Sequence, residues 1–427
     1  MIEKNINKYF FLLLAILPLS FLIGPYASFV NIIIFDISFI FLLILKKEWS
    51  WLKDPTIRIF LILYLYLIFN SFISLNVNMG FLRNFGFFRL IVFFVGVNYF
   101  FFKDKNFYKI FIFWSIIVII VTIDIFIEKI FGTNILGYSG NNHRVVSFFK
   151  NEQIVGGFVY AFSLLLAGFY FIKLNNKNNF LKIFTYFMIF IFLLSIIITG
   201  ERSNSIKAIF SFILLFSLFQ KISYKKKLLF FSIFSIFLIS IFSNNTYLKD
   251  RFTSSILYSS STFVESFKHN DPNDNPSGNL YAKLYRSGYE VFKNYPLFGV
   301  GNKNYRIESC YNKEYQKGIH IMISDYICLT HPHQIYIEFL AEHGLIGTTI
   351  LLTIFFLLLF RNLKKILINR NYISVGCFCY LIVVFTPILP GGSFFTDYNI
   401  SLFFINLSLM HATSKEMNIF KITQNNV

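Results

Sequence analysis

Charge is scarce in this chain. Only 14% of its 427 residues are Asp, Glu, Lys or Arg, while 56% are hydrophobic and 21% aromatic. A soluble domain is nearer about a quarter charged, so a water-soluble globular protein is excluded. Nucleotide-binding signals are missing too. Gly299-Val300-Gly301 lacks the third glycine and the strand–turn–helix setting of a nucleotide loop. No Asp-x-Asp motif stands in the long polar loop, which argues against a soluble nucleotide-sugar donor. No internal repeat of roughly 20–50 residues is visible, nor an inverted repeat of the transporter kind. Cysteine is limited to four residues and histidine to seven.

What the chain has instead is apolar runs. Twelve are long enough to span, or nearly span, a bilayer. They are Phe10 to Ile23, Phe29 to Leu45, Ile57 to Leu75, Phe87 to Phe102, Phe107 to Ile127, and Ile154 to Ile172. Then come Phe180 to Ile198, Ile206 to Phe219, Leu228 to Phe242, Ile335 to Phe360, Ile373 to Ile388, and Ile400 to His411. The first follows Lys4 and Lys8 without a convincing small-residue cleavage site, so it reads as a retained helix. The expected fold is an all-α polytopic membrane protein of about 12 transmembrane helices, with one long, partly helical periplasmic loop between the ninth and tenth.

The net charge of +18 does not mark a nucleic-acid partner, because the charges sit between apolar runs. Lys46, Lys47, Lys53 and Arg58 form one cluster, Lys221 and Lys225 to Lys227 another, and Arg361, Lys364, Lys365 and Arg370 a third. The alternate connections are poorer in basic residues: Arg83, Arg89, Lys129, Arg144, Lys150, Arg202 and Lys207. By the positive-inside rule, both termini are then cytoplasmic and the poorer connections periplasmic, in a bacterial cytoplasmic membrane. Residues 1–242 carry helices one to nine, 243–332 form the outer loop that completes a site, and 333–427 carry the last three helices and a short tail.

Within the loop, Asp271 to Gly278 is a strong turn signal, Leu280 to Phe292 reads as an amphipathic helix, and Asn294-Tyr295-Pro296 ends it. Cys310 and Cys328 both fall in the loop. A disulfide between them would contribute on the order of 3 kcal/mol and tie the Arg306 region to the segment bearing His331 and His333. Two free thiols are the alternative. Cys377 and Cys379 lie two apart in a helix and read as core residues.

Three polar clusters share the outer face: Thr199 to Ser205; Lys283, Tyr285 and Arg286 with Pro296 to Gly301 and Arg306; and His331-Pro332-His333-Gln334. Helix N-termini carry partial positive charge and unpaired amides, which suit phosphate. Ser203 or Ser205 is placed to cap the eighth span, and Pro332 suits the first position of the tenth. Arg202 beside such an end would clamp phosphate, although a lone arginine there also serves as an interfacial anchor. An imidazole at a helix N-terminus stays neutral and can act as a general base. Gln334, Glu338 and Glu342 form a stripe at helical spacing that should face the bundle interior or a wet cavity. His331 and His333 are too few for a metal site without nearby carboxylates.

The order of these parts resembles the bacterial O-antigen ligase and O-antigen polymerase superfamily. It is carried by the Thr199-Gly200-Glu201-Arg202-Ser203 turn, Asn294 to Gly301, His331 to Gln334, Glu338, and Gly344-Leu345-Ile346-Gly347. His143 to Glu152 looks like the family's shorter outer loop before the sixth span. The resemblance implies an enzyme that moves a glycan from an undecaprenyl-diphosphate carrier to an acceptor sugar hydroxyl, without metal or other cofactor. His333 would be the catalytic base, and Arg202 one phosphate-binding arginine. The usual place of the second holds Tyr281, so Arg286 is the expected replacement, with Lys283 its rival. His331, Gln334, Lys283, Arg306 and Glu338 would contact substrate. A ligase acting on lipid A core is favoured over a polymerase that extends a growing glycan. A transporter or lipid flippase is the reading from another class; it predicts mid-membrane ionisable residues, for which Asp36, Asp124 and Glu338 are the candidates, and broken helices.

Overall fold

The computed structural model describes residues 2–140, 144–150, 152–173, 179–219, 223–244, 246–254, 280–311, 328–369 and 371–420. The Asp271 to Gly278 turn lies outside these, as do His143, Asn151, Lys221 and Arg370. The fold is all-helical, about 80% helix, with no strand among the described residues.

In chain order the helices are α1 (Ile2–Ala15), α2 (Leu17–Ile23), α3 (Pro25–Lys46), α4 (Pro55–Phe72), α5 (Val77–Phe85), α6 (Phe88–Lys103), α7 (Ile110–Phe131), α8 (Val155–Lys173) and α9 (Asn179–Ile198). They continue with α10 (Arg202–Leu218), α11 (Tyr224–Asn244), α12 (Thr246–Lys249), α13 (Leu280–Asn294), α14 (Tyr305–Tyr311), α15 (Ile335–Phe360), α16 (Leu363–Asn369), α17 (Tyr372–Val384) and α18 (Asp397–Ala412). Each of the twelve apolar runs is helical. By length and hydropathy, eight helical stretches can cross a membrane, or nine if α1 and α2, bent by 42°, count as one span. The count of twelve is not reached because α10, α17 and α18 have 17, 13 and 16 residues. At 1.5 Å rise per residue they fall short of a hydrocarbon layer about 30 Å thick.

Local signals explain the helix starts. Asp54 caps α4 by accepting from Thr56 N at 2.7 Å, with Pro55 at the first position. Asn76 caps α5, Asn371 caps α17 and Thr396 caps α18. α8 is the most deeply buried span and lies against α9 and α17. Phe35, Phe39, Phe93, Phe100 and Trp114 fill the core on the α3, α6 and α7 side, where Phe35 meets Phe100 and Phe111 meets Trp114 edge to face. The free thiols of Cys377 and Cys379 are both buried.

Two features of the fold position the site. First, several connections meet at one end of the bundle. Val145 N donates to Thr199 O, Arg251 Nε to Gly200 O, Gly391 N to His333 O, and Tyr285 Oη to Ile388 O. At the opposite ends of these helices, Tyr108 Oη bonds Thr413 O at 2.9 Å.

Second, α15 is broken. Gly344 has φ 63° and ψ −170°, which ends one helical segment and begins another. A break inside an apolar helix is tolerated only where its backbone groups find partners in protein. Here residues 296–301 supply them. Leu345 N donates to Pro296 O at 2.8 Å and Ile346 N to Leu297 O at 3.1 Å. Val300 N and Gly301 N donate to Ala341 O and Glu342 O at 3.0 and 2.9 Å. The two glycine motifs of the sequence therefore lie backbone to backbone, and a Cβ on Gly299 or Gly344 would stand closer than 3.0 Å to main-chain atoms of the other segment.

Asparagines fix this segment to α4 and α5. Asn302 N donates to Asn70 Oδ1 at 2.8 Å, Asn302 Nδ2 to Asn84 Oδ1 at 2.6 Å, and Asn76 N to Asn304 Oδ1 at 2.7 Å.

Candidate functional site

His331 and His333 stand together, ring centroids 4.0 Å apart. Thr330 Oγ1 bonds His331 Nδ1 at 2.9 Å, while His331 Nε2 is buried without a hydrogen-bond partner. His333 has φ +57°, left-handed backbone that costs a non-glycine residue of order 1 kcal/mol or more. Gly391 N holds it there through His333 O at 2.8 Å. Burial lowers the His333 pKa from its usual 6.5. It pushes His331 down to about 4, helped by His333 and Arg306. Both imidazoles are neutral at pH 7, the form that can accept a proton.

α15 begins at Ile335, not at Pro332. Gln334 is its cap, with Oε1 accepting from Ile337 N at 2.8 Å, because Pro332 is drawn instead against Gly288 of α13. Glu338 is buried and braces the 385–396 connection: it accepts from Ser393 Oγ, and from Phe394 N at 3.0 Å. Arg306, on α14, lies within electrostatic reach of His331, and its Nε is buried without a partner. A disulfide joins Cys310 to Cys328, with Cα atoms 4.5 Å apart. It ties α14 to the segment that delivers the histidines.

On α13, Tyr281 faces His333, with ring centroids 6.3 Å apart. Tyr285 Oη reaches Ile388 O at 2.8 Å, and Gly288 abuts Pro332 and Ile337. These positions share one helical face. Arg286 and Lys283 fall on the other, in the stripe of Glu290 and Lys293, which pair at 2.7 Å. The structure therefore brings Tyr281, and not Arg286 or Lys283, beside the histidines.

Arg202 opens α10. Neither Ser203 nor Ser205 caps this helix: Glu201 is the cap residue and makes no capping bond with its side chain. Its carboxylate turns to the start of α8 instead, accepting from Gly156 N at 2.6 Å, Gly157 N at 3.1 Å and Asn204 Nδ2 at 2.6 Å. Burial pushes its pKa up to about 7, against those hydrogen bonds. Beside Arg202 stand Arg251, which donates from Nε to Gly200 O at 2.6 Å, and Arg144, which donates to Gln153 Oε1 at 2.8 Å. Lys207, further along α10, puts its ammonium 3.6 Å from where a Cβ on Gly391 would stand. The α10 terminus and the His333 segment thus share the Gly391 connection.

The comparison with known families bears on this end of the molecule. Residues 187–352 match the family described as O-antigen ligase. This stretch is similar to that family. The match covers less than half of the chain and supports placement in the O-antigen ligase and polymerase superfamily. It implies a membrane enzyme that transfers glycan. No curated protein matches the chain.

The O-antigen ligase stretch contains Arg202, Arg251, α13, α14, the histidine pair and the break at Gly344. Arg144 and the 385–396 connection lie outside it. Sequence reasoning passed over Arg251, Arg144, Lys207 and Gly391 as site residues. Lys207 is legible only as a sparse outer charge, and Arg144 as another within the His143 to Glu152 loop of the resemblance. Nothing in the sequence marked Arg251 or Gly391, whose nearness to the site depends on how distant connections fold together.

The break in α15 also bears on the transporter alternative. In transporters, half-helix ends are left open for substrate or ions. Here two amides and two carbonyls at the break are bonded to residues 296–301. Asp124 is likewise engaged, accepting from Ile135 N at 2.9 Å and Ser147 Oγ at 2.5 Å. Asp36, on α3, is buried with neither oxygen hydrogen-bonded among the described residues, and Arg89 lies within electrostatic reach of it.

Proposed function

We propose that this protein is an O-antigen ligase, transferring a glycan from an undecaprenyl-diphosphate carrier to a sugar hydroxyl of lipid A core at the periplasmic face of the bacterial cytoplasmic membrane, with both termini cytoplasmic. The observation that carries it is a neutral, half-buried imidazole pair at a loop–helix junction, at the end of the bundle where arginines gather around the α10 terminus, within a stretch that matches the ligase family.

In this reading His333 takes the proton from the acceptor hydroxyl. The oxygen attacks the anomeric carbon, the bond from that carbon to the carrier phosphate oxygen breaks, and undecaprenyl diphosphate departs. Attack opposite the leaving group inverts the anomeric centre. Arg202 neutralises charge developing on the departing diphosphate, which is where electrostatic stabilisation counts most; Arg286 is the expected replacement for the family's second arginine, whose usual place holds Tyr281, with Lys283 its rival. The twelve-helix topology belongs to the same proposal, with α10, α17 and α18 completing the count.

The test is direct. Membranes carrying His333→Ala, at normal abundance, are expected to lose transfer from carrier-linked glycan to acceptor. Wild-type transfer by that variant would end the proposal. In a deletion strain, a ligase leaves core without long-chain material while carrier-linked polymer accumulates; core bearing one repeat would mark a polymerase. Translocation without a new glycosidic bond in reconstituted vesicles would mark a transporter.

A further inference from the structure

Three arginines gather around one turn of backbone. Arg251 Nε and Cδ and Arg144 Cγ lie 3.3, 3.6 and 3.7 Å from where a Cβ on Gly200 would stand. Arg202 follows two residues later and is within electrostatic reach of Arg251. Lys129 is close as well, stacked on Tyr247 at 5.0 Å and within reach of Arg251.

Like charges gathered this closely repel unless acids compensate them. The acids nearby are also bound to backbone amides, with Glu201 within electrostatic reach of Arg144 and Glu128 of Lys129. Glu201 accepts from Gly156 N, Gly157 N and Asn204. Glu128 accepts from Gly140 N, Val146 N and Ser147 N. Asp124 holds Ile135 N and Ser147 Oγ. One terminal nitrogen of Arg251 is buried and makes no hydrogen bond among the described residues, which is costly for a charged donor. The first turn of α10, a helix of 17 residues, has no side-chain cap and begins at Arg202, two residues after Gly200. Positive charge, an orphaned donor and an uncapped helix start lie together around Gly200, an arrangement that an anion would complete.

We propose that Arg144, Arg202 and Arg251, with the first-turn amides of α10, form the cradle for the diphosphate of the lipid-linked donor, and that Arg251 fills the role the family resemblance gives to Arg286. This rests on the glycan-transfer reading above. Planar guanidinium forks match phosphate oxygens pairwise, and two phosphates offer enough oxygens for three arginines. Tyr281 links the cradle to the base: it lies within electrostatic reach of Arg251, and its ring centroid is 6.3 Å from that of His333. The tyrosine found where an arginine is usual thus stands between the cradle and the imidazole, while the positive charge comes from the segment after α11.

The experiment uses the full chain in nanodiscs, with farnesyl diphosphate and farnesyl monophosphate as probes. Wild type is expected to prefer the diphosphate. Arg251→Gln and Arg144→Gln should each weaken diphosphate binding by about tenfold and erase the preference. If Arg251→Gln does not fold, Arg144→Gln decides, since its one hydrogen bond with a described partner is to Gln153. Wild-type affinity in both variants, or a loss that falls on Arg286→Gln and spares them, overturns the cradle. Glycan transfer is measured in parallel. Loss of transfer in His333→Ala alongside an overturned cradle leaves the transfer reading standing; normal transfer in His333→Ala removes the transfer reading by itself.

Discussion

Replacing Gly344 by alanine should loosen the whole site end of the molecule. Its backbone, φ 63° and ψ −170°, belongs to a region that is essentially glycine's alone, and holding another residue there costs about 1–3 kcal/mol. The added Cβ would stand closer than 3.0 Å to Leu297 C, Leu297 O and Phe298 N. All three are main-chain atoms, so no side chain can swing away. Residues 296–301 must retreat, and the bonds from Leu345 N to Pro296 O and from Ile346 N to Leu297 O stretch or break. A buried amide left unpaired costs about 1–3 kcal/mol. Strain plus one or two lost bonds gives about 2–9 kcal/mol, a large part of the net stability of a typical domain. The thiols of Cys377 and Cys379 are buried, so a thiol-reactive dye reports unfolding in detergent during a thermal ramp. A midpoint several degrees below wild type is expected. Gly299→Ala should behave alike, and the double variant should lose less than the sum, because both break one contact. A Gly344→Ala midpoint equal to that of wild type would show that α15 is not broken and that the two segments do not meet.

Other outcomes follow from the same geometry. A base whose folded pKa is depressed is neutral in the fold, so its contribution to stability is complete above pH 6.5 and drains away as pH falls through the folded value, about 4 for His331; kcat/KM for transfer should therefore show no imidazole-dependent loss between pH 8 and 6.5, and an acid limb centred above 6.5 would contradict this. Removing Cys310 or Cys328 opens the link between α14 and the histidine segment and should cost about 3 kcal/mol, read as a mobility change between reducing and non-reducing gels and a lower unfolding midpoint; no mobility change in the oxidised protein speaks against the bond. Glu201→Ala removes the acceptor for Gly156 N, Gly157 N and Asn204 and should cost about 2–4 kcal/mol; since burial raises this carboxyl to about 7, its part in stability is fullest below pH 4.5 and lost as pH rises through 7, and a wild-type pH dependence in the alanine variant would refute that assignment.

The apolar runs gave the helices away, because hydrophobic length is a local property of the chain. Leu280 to Phe292 was legible as a helix for the same reason, and the observed helix ends at Asn294, just before Pro296. The caps of α10 and α15 were not legible. Ser203, Ser205 and Pro332 suit those positions by residue type, but Glu201 is pulled toward the amides of α8 and Pro332 toward Gly288. Both pulls come from elements distant in sequence. The same limit applies to the arginines. Helix periodicity alone could have placed Arg286 across α13 from Tyr281, once Tyr281 was known to face His333. The approach of Arg251 to Gly200 depends on how the chain returns after α11, about which local pattern carries no information. The motifs around Gly299 and Gly344 were visible as motifs, but their complementarity was not, because each glycine is required by the backbone of the other segment.

The asparagine fastening has a bearing on how such enzymes exchange specificity. Residues 296–304 are joined to Asn70, Asn76 and Asn84 on the distant N-terminal helices. A chimera that imports a foreign version of this loop also imports its half of the joint. Unless the recipient's fourth and fifth helices carry the matching amides, the graft will be seated poorly and the imidazoles displaced with it. Substrate preference in this protein is therefore inherited in blocks that span both halves of the chain, and the loop cannot be traded as a separate cassette.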